Sequence, residues 1–181
     1  MTHIGTQYIE TERLILRRFE RSDAQAMFAN WASDDEVTKY LTWPTHAGVS
    51  VTEGILGEWV LQYEDTSFYN WAIVLKENGP EPIGNISVVR WDGEVPAMGY
   101  CLGRRWWHQG IMSEALGAVL DFLFCRVGVE RVEAEHDTNN PHSGGVMRKC
   151  GMIFDGVREK AGQNNQGVVD MACYTIKASE R

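Results

Sequence analysis

The apolar period of this chain changes between residues 102 and 110, and the order of elements around that change points to its fold class. Between residues 69 and 102, apolar and β-branched residues come in short runs: YNWAIVL (69–75), IGNISVV (83–89) and AMGYCL (97–102). Asn78-Gly79 and Asp92-Gly93 separate them, and both pairs are turn signals. An antiparallel meander follows from that pattern. Between residues 110 and 127 the apolar positions Ile111, Ala115, Ala118, Val119 and Phe122 recur at helical spacing. A strand over 131–136, a helix over 141–150 and strands over 152–157 and 168–176 complete that half. Pro141 suits a first helical turn and Gly151 a helix stop.

Ahead of the meander, LILRRF (14–19) reads as a strand. Ser22 and Gln25 form a candidate capping box for a helix carrying Ala24, Met27, Phe28 and Trp31. Residues 35–41 and 52–63 read as further helices, the latter with Ile55, Trp59 and Val60 on one side. Residues 42–51, with Pro44 and Gly48, read as loop. The expected fold class is α+β: a mixed, mostly antiparallel central sheet of about seven strands, flanked by helices on both faces. With 181 residues and no repeat or linker, one domain over 1–181 is expected.

Composition narrows the classes of function. A net charge of -8 and an acidic pI argue against a general nucleic-acid binder. No run of 18 apolar residues exists, and the N-terminus has no apolar leader segment, so neither a membrane span nor secretion is expected. Cys101, Cys125, Cys150 and Cys173 show no C-x-x-C spacing; buried free thiols in a reducing cytoplasm and no metal site are expected. Of the seven tryptophans, Trp71 suits the core, while Trp43, Trp91, Trp106 and Trp107 are candidates for lining a groove.

The segment LGRRWWHQGIMSEA (102–115) ends a strand, turns, and starts the long helix. A helix start leaves backbone N–H groups without intrahelical acceptors and carries a partial positive charge. It is therefore suited to phosphate-type anions. Gly110 lets the backbone approach such a ligand, and Ser113 adds a hydroxyl. One strand later comes NNPHSGGVMRKCGMIF (139–154). Taken alone, the first segment is also compatible with an ordinary strand-to-helix turn, and the second with a capped surface helix.

Together the two segments resemble the coenzyme A motifs of the Gcn5-related N-acetyltransferases, in particular their RimJ/RimL-like ribosomal-protein branch. The family loop is written Q/R-x-x-G-x-G/A; here it runs Trp107, His108, Gln109, Gly110, Ile111, Met112. Trp107 replaces the first Gln/Arg, as is usual in that branch. Met112 replaces the last small residue, so its side chain must point away from the phosphates. The second pattern, N-x-x-S-x-R-V-L/M-x-K-x-G-F/M, is met at Asn140, Ser143, Val146, Met147, Lys149, Gly151 and Met152. Gly145 stands where arginine is common.

The resemblance implies acetyl-CoA as cosubstrate and an amine acceptor, either a protein N-terminus or a small molecule. It implies that the fourth and fifth family strands (97–102 and 131–136 here) splay apart, with the pantetheine arm bonded by backbone groups around Cys101 and Leu102. Ser143 is then the proton donor to the departing thiolate, or else a helix cap or plain coenzyme A contact; Asn140 is a pantetheine contact, or forms an Asx turn before Pro141. For the base, Glu133 and Glu135 share one strand face, and His136 follows them. Solvated carboxylates and an exposed histidine are the plainer reading of all three. The carboxylate that the branch places after the last helix is absent: Gly162 stands there. Ala97 also departs, where a Glu often begins the strand. Many members are dimers, so a homodimer is open to this chain. Beside a protein N-terminus, an antibiotic, polyamine or amino acid is an alternative acceptor, and a non-catalytic acetyl-CoA sensor is an alternative function.

Overall fold

The computed structural model covers Met1–Arg181 and contains one eight-stranded sheet. In chain order the elements are β1 (Ile9–Glu10), β2 (Leu14–Arg17), α1 (Ala24–Met27), α2 (Asp35–Thr38) and α3 (Val49–Gln62). Next come β3 (Asn70–Leu75), β4 (Pro82–Asp92), β5 (Val95–Leu102), α4 (Ile111–Phe122) and β6 (Arg131–Asp137). The chain ends with α5 (Pro141–Lys149), β7 (Ile153–Asn164) and β8 (Gly167–Lys177). The strand order is β1-β2-β3-β4-β5-β6-β8-β7, and only the β5–β6 pair is parallel. The mixed, mostly antiparallel sheet with helices on both faces is thus observed, with eight strands in place of about seven. The extra strand, β1, is two residues long and too short to carry an alternating pattern.

All six residues of β3 are buried, as a strand covered on both faces requires. One face packs under α4 and α5 in a 29-residue core that holds Ile86, Met98, Leu116, Val119 and Val132. The opposite face packs under α1 and α3 around Phe19, Trp31 and Leu56. Helix α4 buries Ile111, Ala115, Leu116, Val119 and Leu120, a stripe at i, i+4, i+5, i+8 and i+9.

Several local expectations are corrected. The first helical turn is held by Glu20 and Asp23 rather than Ser22 and Gln25: the Glu20 N–H donates to Asp23 Oδ2 at 2.8 Å. Helix α3 buries Thr52, Leu56 and Gly57, a stripe rotated from the one expected. Cys125 is exposed, while Cys150 and Cys173 are buried. The last hairpin is far longer than expected, because residues 158–164 continue β7 as an exposed edge whose polar sequence shows no alternation. No helix is long and apolar enough to cross a membrane.

Candidate active site

β5 and β6 share only two paired positions, Ala97 with Glu133 and Met98 with Ala134. Beyond Met98 the strands part, and a cleft of about 1060 Å³ passes through the sheet at the gap. On the α4–α5 face it is walled by Trp107, Gly110, Ser113, Asn140 and Ser143. On the opposite face it is walled by Tyr40, Trp43, Trp59, Ser87 and Gln163.

The α4 wall has the geometry of an anion cradle. Gly110 precedes the helix in the left-handed region (φ 73°), and His108, two residues earlier, also has positive φ (59°). No backbone N–H from His108 through Ser113 donates to a protein acceptor; the first to do so is Glu114, to the Gly110 carbonyl at 3.1 Å. Six consecutive amides are left over at a helix start, where charge and geometry favour a phosphate. Met112 turns away into the core at 6% exposure, so its size does not fill the cradle. Ser113 donates nothing through its hydroxyl, and Gln109 donates its side-chain amide to the Arg105 carbonyl at 3.1 Å. The residues present therefore fit the diphosphate of coenzyme A.

The gap itself offers backbone groups. Gly103 N–H donates to the Ile83 carbonyl at 2.8 Å, which fixes the alternation of the β4–β5 ladder. By that alternation the Asn85–Cys101 pair is hydrogen-bonded across to β4. The main-chain groups of Tyr100 and Leu102 face the gap instead. The Leu102 carbonyl is already taken by the Trp107 indole N–H at 2.7 Å. Backbone contacts expected from Cys101 thus pass to Tyr100 and the Leu102 N–H.

Ser143 lies in the first turn of α5 and donates its hydroxyl to Tyr100 Oη at 3.2 Å. Tyr100 in turn donates to the Ser143 carbonyl at 2.9 Å, and burial pushes the phenol pKa well above its usual value. Asn140 precedes α5, and its side chain makes no hydrogen bond within the protein, so the amide is free toward the cleft. His108 and His142 meet edge to face across the mouth, ring centroids 4.9 Å apart.

The candidate bases are placed differently. Glu135 is on the cleft wall but paired with Arg90, N–O 3.2 Å. Glu133 pairs with Arg131 at 3.0 Å. His136, expected at an exposed strand end, is buried under Gly144 and stacked on Tyr174. Its Nδ1 lies 2.7 Å from the Asp137 carbonyl oxygen, and its Nε2 has no partner. A Cβ on Gly144 would come within 2.5 Å of that Nε2, so only glycine permits this packing. Asp137, not singled out from sequence, lines the cleft and accepts three hydrogen bonds, from Asn139 N, Asn139 Nδ2 and Asn164 Nδ2 at 2.8, 3.0 and 2.9 Å.

On the face opposite α4 and α5, the tip of the β7–β8 hairpin bridges to the loop after α2. Asn165 Nδ2 donates to the Thr38 and Trp43 carbonyls, both at 2.8 Å, and Asn165 N–H to the Leu41 carbonyl at 3.2 Å. Of the tryptophans expected at a groove, Trp43, Trp106 and Trp107 line the cleft, joined by Trp59. Trp91 instead packs against His3 and Tyr69, away from it. Tyr100 and Asn165 carry no sequence signal, because each acts through residues distant in the chain. No cluster of potential metal ligands is present.

A family model described as the acetyltransferase (GNAT) domain matches residues 13–153. Among curated proteins, the chain is 28% identical over 170 residues to the uncharacterized N-acetyltransferase YoaA of Bacillus subtilis, covering 93% of this chain and 95% of that one. It is 25% identical over 157 residues to the ribosomal protein uS5-alanine N-acetyltransferase of Escherichia coli, covering 82% and 79%. Its fold matches that of RimL, a ribosomal L7/L12 α-N-protein acetyltransferase solved with coenzyme A, with a TM-score of 0.83, 20% identity and 94% and 98% coverage.

Proposed function

Because the chain belongs to the GNAT N-acetyltransferase family, we propose that it moves the acetyl group of acetyl-CoA to a primary amine by direct attack, the amine being a protein N-terminus or a small molecule. The observation that carries this reading is the run of six unpaired amides from His108 to Ser113, set on the wall of a cleft that crosses the sheet. Coenzyme A complexes among proteins of the same fold support it.

In this reading the thioester supplies the acyl carbon, and the chain supplies position and protons. The cradle holds the diphosphate; Asn140 and the main chain of Tyr100 take the pantetheine amides. The Leu102 N–H, aimed into the gap, stabilises the negative charge that builds on the carbonyl oxygen. As the C–S bond breaks, the Ser143 hydroxyl, which otherwise donates to Tyr100 Oη, turns its proton to the sulfur, and water carrying the proton shed by the amine restores it. The amine approaches from the face of Tyr40, Trp43 and Trp59. Glu135 and Asp137 are already engaged, so the proton released by the amine passes to water. An α-amine, which titrates near pH ~8, is neutral often enough to need no stronger base. Relatives acting on ribosomal-protein alanine point the same way.

The test is thiol release with acetyl-CoA and a panel of amines: N-terminal peptides, polyamines, aminoglycosides and free amino acids. Turnover with α-amine peptides or one small-amine class is expected. Binding of acetyl-CoA without turnover on any amine would leave a sensor, and absence of binding would falsify the reading.

A further inference from the structure

The back of the cradle is held from a distant part of the chain. Arg13 lies between β1 and β2, yet its Nη1 donates to the Gln109 carbonyl at 2.9 Å. Its Nε and backbone N–H grip the two oxygens of Glu114 at 2.6 and 2.9 Å. Thr11 adds a third bond to Glu114, at 2.6 Å. Neither Thr11, Arg13 nor Glu114 lines the cleft, whereas Gln109, Gly110 and Ser113 do.

We infer that Arg13 is the positioning residue of the diphosphate cradle: by holding the Gln109 carbonyl outward, it aims the Gly110 N–H into the cleft. The peptide is trans, so its C=O and N–H point in opposite directions. A carbonyl fixed on the Arg13 side therefore sends the amide to the ligand side. Gly110 in its left-handed conformation has little intrinsic preference for that orientation. The external bond supplies it.

The same side chain solves a charge problem. Glu114 sits in the first turn of α4, where a carboxylate favours the helix dipole but repels a phosphate nearby. The ion pair with Arg13, 2.6 Å, removes the net charge without consuming any cradle amide. A lysine could neutralise Glu114, but its single ammonium cannot also span to Gln109 as the planar guanidinium does.

This inference rests on the acetyl-CoA reading above, and the test separates the two. Calorimetry measures CoA binding, and thermal shift titration measures binding of S-acetylpantetheine, which lacks the diphosphate. Arg13→Ala is expected to weaken CoA roughly tenfold, the equivalent of one hydrogen bond to a charged group. Arg13→Lys should remain impaired, and S-acetylpantetheine binding should be unchanged in both variants. Should Arg13→Ala not fold, Arg13→Lys carries the comparison. Equal weakening of both ligands, or an unchanged CoA affinity in a folded variant, overturns the assignment. Wild-type protein that fails to bind CoA overturns the function itself.

Discussion

Ser143 donates its hydroxyl to Tyr100 Oη, and Tyr100 donates to the Ser143 main-chain carbonyl, so one phenol fixes both the side chain and the backbone of Ser143. Ser143→Ala is expected to lower kcat by roughly 100-fold or more, the range of a positioned proton donor, with the Kd for acetyl-CoA changed little. An unchanged kcat removes Ser143 from the reaction. Tyr63 is a structural counterpart. It accepts from the Phe19 N–H at 2.9 Å and donates to the Asn70 carbonyl at 2.8 Å. Burial, against the opposing Phe19 bond, pushes its pKa from 10.0 up to about 12. A raised folded value means stability is fully present below pH 10 and is lost as pH rises through about 12. Tyr63→Phe should cost about 1–3 kcal/mol at neutral pH, and the gap to wild type should narrow between those two pH values in urea titrations. Among these residues only Ser143 was legible beforehand, because its neighbours in sequence spell a motif. Tyr100 and Tyr63 act on partners that only the folded chain brings near.

At the scale of elements, legibility followed periodicity. The meander and α4 were readable because each has one solvent-free side repeating at its own period. The outer part of β7 was not, since an edge strand exposed on both faces has no alternation to show. That unreadable stretch carries the hairpin tip to the proposed acceptor side, where Asn165 ties it to the loop after α2. Asn165→Ala removes both side-chain bonds and leaves the backbone bond to Leu41. The expected loss of stability is about 1–3 kcal/mol for the two bonds together. The functional effect should be one-sided: a higher KM for the amine with the KM for acetyl-CoA unchanged. A matching change in both would mean that the tip supports the whole cleft instead.

For the whole molecule, the fold class was legible while the site was legible only in part. The two segments singled out from sequence, 107–113 and 140–143, are each continuous, and the structure brings both to one wall of the cleft. The acceptor side is assembled from α2, α3, β4 and the last hairpin, with no local motif to mark it. Ligand linkage reaches the entire fold, since α4 joins the cradle to the larger core. At acetyl-CoA about 100 times its Kd, the gain is about 2.7 kcal/mol. For a chain of this size that corresponds to a rise in Tm of roughly 5–10 °C, measurable by differential scanning fluorimetry. Coenzyme A should act likewise, and inorganic phosphate should not approach it.

The cleft that crosses the sheet also bears on the kinetics of the proposed reaction. In the proposed reaction the donor arrives beside α4 and the acceptor beside Trp43, on opposite walls of the cleft, so neither has to leave before the other enters. With no acyl-enzyme stage required, both must be present together. Initial-rate plots at several amine concentrations should therefore give intersecting lines, and parallel lines would contradict the two-wall arrangement. Coenzyme A and the acetylated amine would then depart independently, and inhibition by each product should be strongest against the substrate that shares its wall.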